Sequence, residues 1–244
     1  MNDKFESIWI DKVIKDSKDE INSPFFEEFI KIYEELDVKE HYFVSFSKAK
    51  DMLSQWRGYA DDGKGVAIGF SLKYAPELID LYSKCQGADE FEGSIQASTP
   101  IIGYEDLIYS QVGQLRLIKS VFDDIKKDSD IQINATLLKE LSTTFKHRSF
   151  EEERETRITY TPENSPNEQT DMILKRMSGK KYRAQNDTII DFYELDFNCE
   201  FNSLLVPEII IGPKSKLEKL QLTNILKSNG FESTKVSYSN SSYR

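Results

Sequence analysis

The 244-residue chain is long enough for one large domain or two small ones, and with 39% apolar and 30% charged residues it lies on the polar side of globular composition. A net charge of −10 argues against a protein that coats nucleic acid non-specifically, while leaving room for a local basic groove or a small anionic ligand. No signal-like segment and no bilayer-length apolar run is present, and two isolated cysteines, Cys85 and Cys199, argue against a disulfide framework and predict reduced thiols in the cytoplasm.

In chain order, Asp3 to Ile21 reads as a charged helix with Ile8, Trp9, Val13 and Ile14 as its apolar stripe. Ser23-Pro24 predicts the start of a second helix, with Ser as N-cap and Pro in the first turn, whose face is Phe25, Phe26, Phe29, Ile30, Tyr33 and Leu36. Tyr42 to Ser47 and Val66 to Phe70 alternate like strands. Between them Ala49 to Arg57 predicts a short helix capped by Ser47, and Asp61-Asp62-Gly63-Lys64-Gly65 a turn. Leu72 to Tyr82 predicts a helix interrupted by Pro76, and Cys85 to Ser98 a loop. Thr99 to Tyr104 predicts a strand, Glu105 to Lys127 and Ile133 to Lys146 amphipathic helices, and Phe150 to Tyr160 a charge-dense run passing into a strand. A polar loop from Pro162 to Asp171 follows, then strands at Lys181 to Arg183, Thr188 to Phe197 and Val206 to Gly212. Pro213 predicts the start of a helix ending at Asn229-Gly230, and Thr234 to Tyr238 a last strand. Helices crowd the first half and strands the second, so the expected class is α+β, with helices packed against a mixed, largely antiparallel sheet in one domain spanning 1–244.

Several familiar devices are missing. The run GKGVAIG has Ile68 where a dinucleotide-binding fingerprint needs its third glycine, and a strand follows instead of a helix. There is no Walker-type loop and no nucleophile elbow. His41 and His147 stand too far apart to suggest a metal site.

Three constellations could carry chemistry. Glu153-x-Glu155-x-Arg157, read as a strand, points two carboxylates and a guanidinium the same way. Neighbouring carboxylates raise one pKa unless a cation or bound hydroxyls compensate, and the plain alternative is a solvated, charge-laced strand. Gln55-Trp56-Arg57-Gly58-Tyr59 offers a guanidinium for phosphate or carboxylate and aromatic faces for a planar ring; equally, Trp56 and Tyr59 could be core aromatics. Ser45-Phe46-Ser47 puts two hydroxyls on one face, to hold a ribose, to orient a glutamate, or to bond the neighbouring backbone.

The pieces VSFSKAKDMLSQWRGYADDGKGVAIGF, FKHRSFEEERETRI, VPEIIIGPKS and the closing SYR resemble a bacterial family catalogued as domain of unknown function 2971, in the family's own order. Family members usually open with a His-Tyr-Thr strand; this chain starts at Met1-Asn2-Asp3, so the leading strand segment is expected to be missing. The order of an early strand, a Ser-x-Ser strand and a late Glu-x-Glu strand is similar to the layout of ADP-ribosyltransferases. That likeness implies NAD as cofactor, Glu155 as catalytic residue and Glu153 orienting the acceptor. It also implies Ser45 and Ser47 lining the nicotinamide pocket and Arg57 on the pyrophosphate, with Gln55, Trp56, Tyr59 and Arg157 completing the cofactor site. The expected site is a hollow shared by the Trp56-Arg57 segment and the Glu155 strand. The implied activity is ADP-ribosyl transfer to RNA or protein, or NAD hydrolysis, as a cytoplasmic toxin or phage-defence effector with no membrane partner. The alternatives are a non-catalytic module binding a nucleotide or nucleic-acid end, and, ranked last, a nuclease holding a metal through Glu151 to Glu155.

Overall fold

The computed structural model describes residues 8–37, 39–71, 102–127, 130–162, 174–185, 187–196 and 202–243. The expected helix at Leu72 to Tyr82, the loop at Cys85 to Ser98, both cysteines and most of the Pro162 to Asp171 loop lie outside them. The elements are α1 (Trp9–Asp16), α2 (Lys18–Ile21), α3 (Phe26–Glu35), β1 (Tyr42–Ser47), α4 (Leu53–Tyr59), β2 (Val66–Gly69), β3 (Ile102–Asp106), α5 (Gln111–Lys126) and α6 (Ile131–Glu140). They continue with β4 (Glu155–Tyr160), β5 (Lys181–Gln185), β6 (Thr188–Phe192), β7 (Glu208–Ile211), α7 (Lys219–Ser228) and β8 (Lys235–Tyr238). Two 3-10 turns, Leu141–Thr144 and Arg148–Glu153, separate α6 from β4. The class is α+β as expected, with the strands distributed over three small sheets.

The chain forms two compact units, Ser47–Ile79 with Asp171–Arg244, and Asn2–Phe46 with Asp80–Thr170. The second unit holds the helical core. Buried Trp9, Ile10, Val13 and Ile14 of α1 follow helical spacing, as do Phe26, Phe29 and Tyr33 of α3 and Leu117, Ile118, Val121, Phe122 and Ile125 of α5. These stripes meet α6 in one cluster, with the Phe29 and Phe122 rings 4.6 Å apart. The unit's sheet has the order β1-β4-β3, and β3 pairs antiparallel with β4 through Ile102↔Tyr160 and Glu105↔Arg157.

The first unit carries β2-β7-β8, with β2 and β7 antiparallel and β7 and β8 parallel, and the hairpin β5-β6. Ile209, Ile210 and Ile211 are all buried, as the unbroken apolar run predicts. Asp61, Asp62 and Gly63 take positive φ (47°, 55° and 84°), so the first three residues of the turn after α4 are left-handed. The Gly212 N–H donates to the Gly65 carbonyl (3.0 Å) and the Lys214 N–H to that of Gly63 (2.9 Å). A Cβ on Gly212 would sit 2.4 Å from the Gly63 oxygen and 2.7 Å from that of Gly65.

Several element ends differ from expectation. Glu105 and Asp106 extend β3 instead of opening α5, because the ladder with β4 claims them and Ser110, accepting from the Gly113 N–H at 3.0 Å, sets the helix start. Ser23 accepts from the Phe25 N–H (3.3 Å) in a turn that precedes α3, and Ser47 accepts from the Ala49 N–H (3.0 Å) ahead of α4, so neither caps its helix. The helix expected to run to Lys146 ends at Glu140, and the 3-10 turn delivers Thr143 to the sheet. Pro213 belongs to the turn against Gly63, and α7 begins only at Lys219.

Candidate functional site

One face of β1-β4-β3 buries charge where a core would bury carbon. Residues two apart on β4, and those opposite them on β3, share that face; they are Glu155, Arg157, Thr159 and Glu105. The Arg157 side chain is 2% exposed and that of Glu155 7%. Arg157 Nε donates to Glu155 Oε1 at 2.6 Å and Nη1 to the Thr143 carbonyl at 2.9 Å. Phe43 of β1 lies under the guanidinium, its ring centroid 4.2 Å from Cζ. Ser45, two residues along β1, donates its hydroxyl to Glu155 Oε1.

Lys146 supplies the second cation. Its Nζ donates to Glu155 Oε2 and to Glu153 Oε2, both at 2.6 Å, and the aromatic ring of Phe150 lies 5.2 Å away. Its backbone is fixed from both sides. The Lys146 N–H donates to the Ile108 carbonyl (3.3 Å), and the fully buried Gln114 amide donates to the carbonyls of Ile108 (2.6 Å) and Lys146 (2.9 Å). Trp9 of α1 in turn donates to the Gln114 side-chain oxygen at 3.2 Å. Gln114 is thus one link between the helical core and the charged face.

Glu153 is not on the strand. It closes the 3-10 turn, and Arg154 follows in the left-handed region (φ 43°) before β4 begins at Glu155. The expected one-face triad is thus corrected to a strand pair, Glu155 and Arg157, with Glu153 brought back by Lys146. The compensation that neighbouring carboxylates require is this lysine.

The electrostatics follow from burial and partners. Burial raises the Glu155 carboxyl, but hydrogen bonds from Arg157, Lys146 and Ser45 outweigh it, and the group is held below the usual carboxylate range. Burial disfavours the Lys146 charge, while Glu153 and Glu155 raise its pKa overall. Glu105 is pushed up to about 7 by burial, against the opposing hydrogen bonds of Thr143 (3.0 Å) and Thr159 (3.3 Å) and the Arg157 charge. Burial likewise pushes the Tyr109 hydroxyl, which accepts the Glu155 N–H at 3.0 Å, up to about 12.

Of the residues singled out from sequence, Ser45, Glu153, Glu155 and Arg157 gather in this cluster. Gln55, Trp56, Arg57 and Tyr59 sit on α4 in the first unit. Trp56 is 2% exposed, with its indole N–H on Asp51 (2.7 Å), and presents no open ring face. Arg57 is exposed, its Cζ 4.6 Å from the Tyr243 ring; Tyr243 also meets Lys214 Nζ at 3.8 Å and donates to Asp62 at 2.6 Å. Gln55 and Ser47 are half-buried and Tyr59 is 61% exposed.

Lys146, Glu105, Thr143 and Tyr109 were not anticipated. Lys146 stands inside FKHRSF, where a lysine between aromatics was the available signal; Glu105 was hidden by being read into a helix. Among the described residues no three His, Cys, Asp or Glu side chains are arranged to hold a metal ion, and no helix is long and apolar enough to cross a membrane.

Residues 55–158 match the model of a family described as protein of unknown function (DUF2971). The match takes in QWRGYADDGKGVAIGF and the whole charged run from Phe145 to Ile158, including Lys146, Glu153, Glu155 and Arg157. No curated protein and no solved structure matches the chain.

Proposed function

We propose that the Glu155 face is the reaction centre of an NAD-using enzyme that transfers ADP-ribose to RNA or protein, or to water. One observation carries this reading. Glu155 is buried and ionised, and the hydroxyl on its Oε1 comes from Ser45, an exposed residue at the solvent edge of the cluster. A carboxylate offers about four lone-pair positions, and Ser45, Arg157 and Lys146 occupy three. A ribose hydroxyl takes the fourth, or the one Ser45 holds.

In the reaction the bond between ribose C1′ and the nicotinamide nitrogen breaks. The electron pair leaves with nicotinamide, which departs as a neutral ring. Positive charge develops on the sugar carbon beside the fixed Glu155 carboxylate, whose geometry needs no reorganisation. The acceptor then attacks C1′ through its lone pair, forming the new bond to C1′, and releases its proton to solvent water, with Glu153 orienting it. Arg157 and Lys146 hold Glu155 and do not react. The biological setting we propose is a cytoplasmic toxin or phage-defence effector.

The three donors already on Glu155 also favour a second reading, a module that binds a nucleotide without turning it over. Nicotinamide release from NAD separates the two. Glu155→Gln is expected to slow release by about 10²–10³-fold, the usual loss on removing one preorganised electrostatic group. Equal release by the variant rejects a catalytic Glu155. Calorimetry that finds NAD or ADP-ribose bound, with no release by the unaltered chain, selects the binding module.

A further inference from the structure

Among the described residues the charged face holds three carboxyl groups, Glu105, Glu153 and Glu155, against two cations, Lys146 and Arg157. Both cations are committed. Lys146 bridges Glu153 and Glu155, and Arg157 Nε lies on Glu155. With every group ionised the cluster carries one negative charge too many in a place only partly open to water, Glu155 and Arg157 being buried and Glu105 and Glu153 half-buried, which is a costly arrangement. Glu105 is the group placed to relieve it.

Glu105 stands directly opposite Arg157 in the β3-β4 register. Among the described residues its Oε1 is met by hydroxyls, those of Thr143 and Thr159, whose hydrogens rotate to suit either protonation state. Thr143 touches both sides of the balance, because its carbonyl accepts from Arg157 Nη1 while its hydroxyl lies on Glu105. We infer that Glu105 is the carboxyl that keeps its proton in the folded chain, and that this proton leaves Arg157 committed to Glu155. Once ionised, Glu105 competes for the guanidinium across the ladder and draws it from Glu155. Glu105 is therefore a positioning residue acting through Arg157. The charged groups around it are Arg157, then Glu155, Lys146 and Glu153 beyond; Asp106 on its own strand, bonded to Thr156 (2.6 Å); and Glu140 ahead of the Thr143 turn, paired with Lys39. Burial raises its pKa toward neutrality in the same direction. The inference concerns the cluster and holds whatever Glu155 acts on.

The test compares urea unfolding of the full chain and of Glu105→Gln from about pH 5 to about pH 8, with the Arg157 Nε–H NMR signal followed alongside. A folded state that holds one extra proton loses stability as pH rises toward the raised pKa, by up to about tenfold in the folding equilibrium per pH unit. The unaltered chain is expected to lose stability relative to Glu105→Gln over that range, and its Arg157 signal to move with the same midpoint; in the variant that signal stays still. Parallel stability profiles, or an Arg157 signal indifferent to pH in the unaltered chain, overturn the inference. Should Glu105→Gln fail to fold, infrared titration of the unaltered chain with ¹³C-labelled glutamate decides. A buried carboxylic-acid band that persists at about pH 6 supports the proposal, and its absence overturns it.

Discussion

The second unit buries two surfaces in opposite ways. Its helices bury Phe29, Phe122, Ile118 and Leu138 against one another, all within 1% of complete burial, with nothing to orient but carbon. Its sheet buries Arg157, Glu155 and Lys146, each bonded to a named atom. Apolar contact is non-directional and stabilises in proportion to area. A buried ion pair gains Coulomb energy but loses hydration, so its net stabilisation is small while its geometry is strict. The helical layer thus supplies stability, and the charged face supplies placement.

Breaking one partner of the charged face gives the largest effect. Lys146→Ala leaves the buried Glu155 and the half-buried Glu153 without their shared cation and should cost about 3–5 kcal/mol in urea unfolding. Leu138→Ala removes only carbon from a site that is 0% exposed and should cost about 2–5 kcal/mol. If the chain turns over NAD as proposed, the sharper contrast is in nicotinamide release, which Leu138→Ala is expected to leave unchanged per folded molecule and Lys146→Ala to abolish. If the two variants lose release equally per folded molecule, the separation of roles fails. Ile118→Val tests the tolerance of the apolar layer and should cost about 0.5–1.5 kcal/mol.

Two carboxyls of the face, Glu155 and Glu105, should also differ in sign with pH. The folded pKa of Glu155 lies below its unfolded value, so its stabilisation is present above the ordinary carboxylate range and lost as pH falls through the folded value. Acid unfolding below about pH 4 should therefore be blunted in Glu155→Gln. Glu105 acts oppositely, its contribution being present in mild acid and lost as pH rises through about 7. The smallest effect belongs to the surface. Lys15 and Glu34 pair at 2.7 Å with more than half of each side chain exposed, and Lys15→Ala should leave the unfolding midpoint unmoved within error.

What could be read from sequence follows the same division. The apolar stripes of α1, α3 and α5 repeat at helical spacing, so they are visible in the chain and the α+β class follows from them. The Glu155-Arg157 pair was visible as alternation within a strand. Lys146 and Glu105 were not, because their partners stand 9 residues away in the chain or across a ladder, and no local period links them. Residue types alone left the run from Phe150 to Arg157 open to the reading of a solvated surface, and burial is what tertiary structure decides. The helix ends moved for a related reason, since Ser23 and Ser47 spent their hydroxyls on turns instead of caps.

The meeting of Gly212 with Gly63 and Gly65 has a practical corollary for anyone building chimaeras from this fold. Main chain touches main chain there, and one added methyl at 212 would press on a carbonyl oxygen 2.4 Å away. The 61–65 turn and the strand end at 212 therefore transplant only as a matched set. A graft carrying one without the other would arrive with its β2-β7 ladder already pried open.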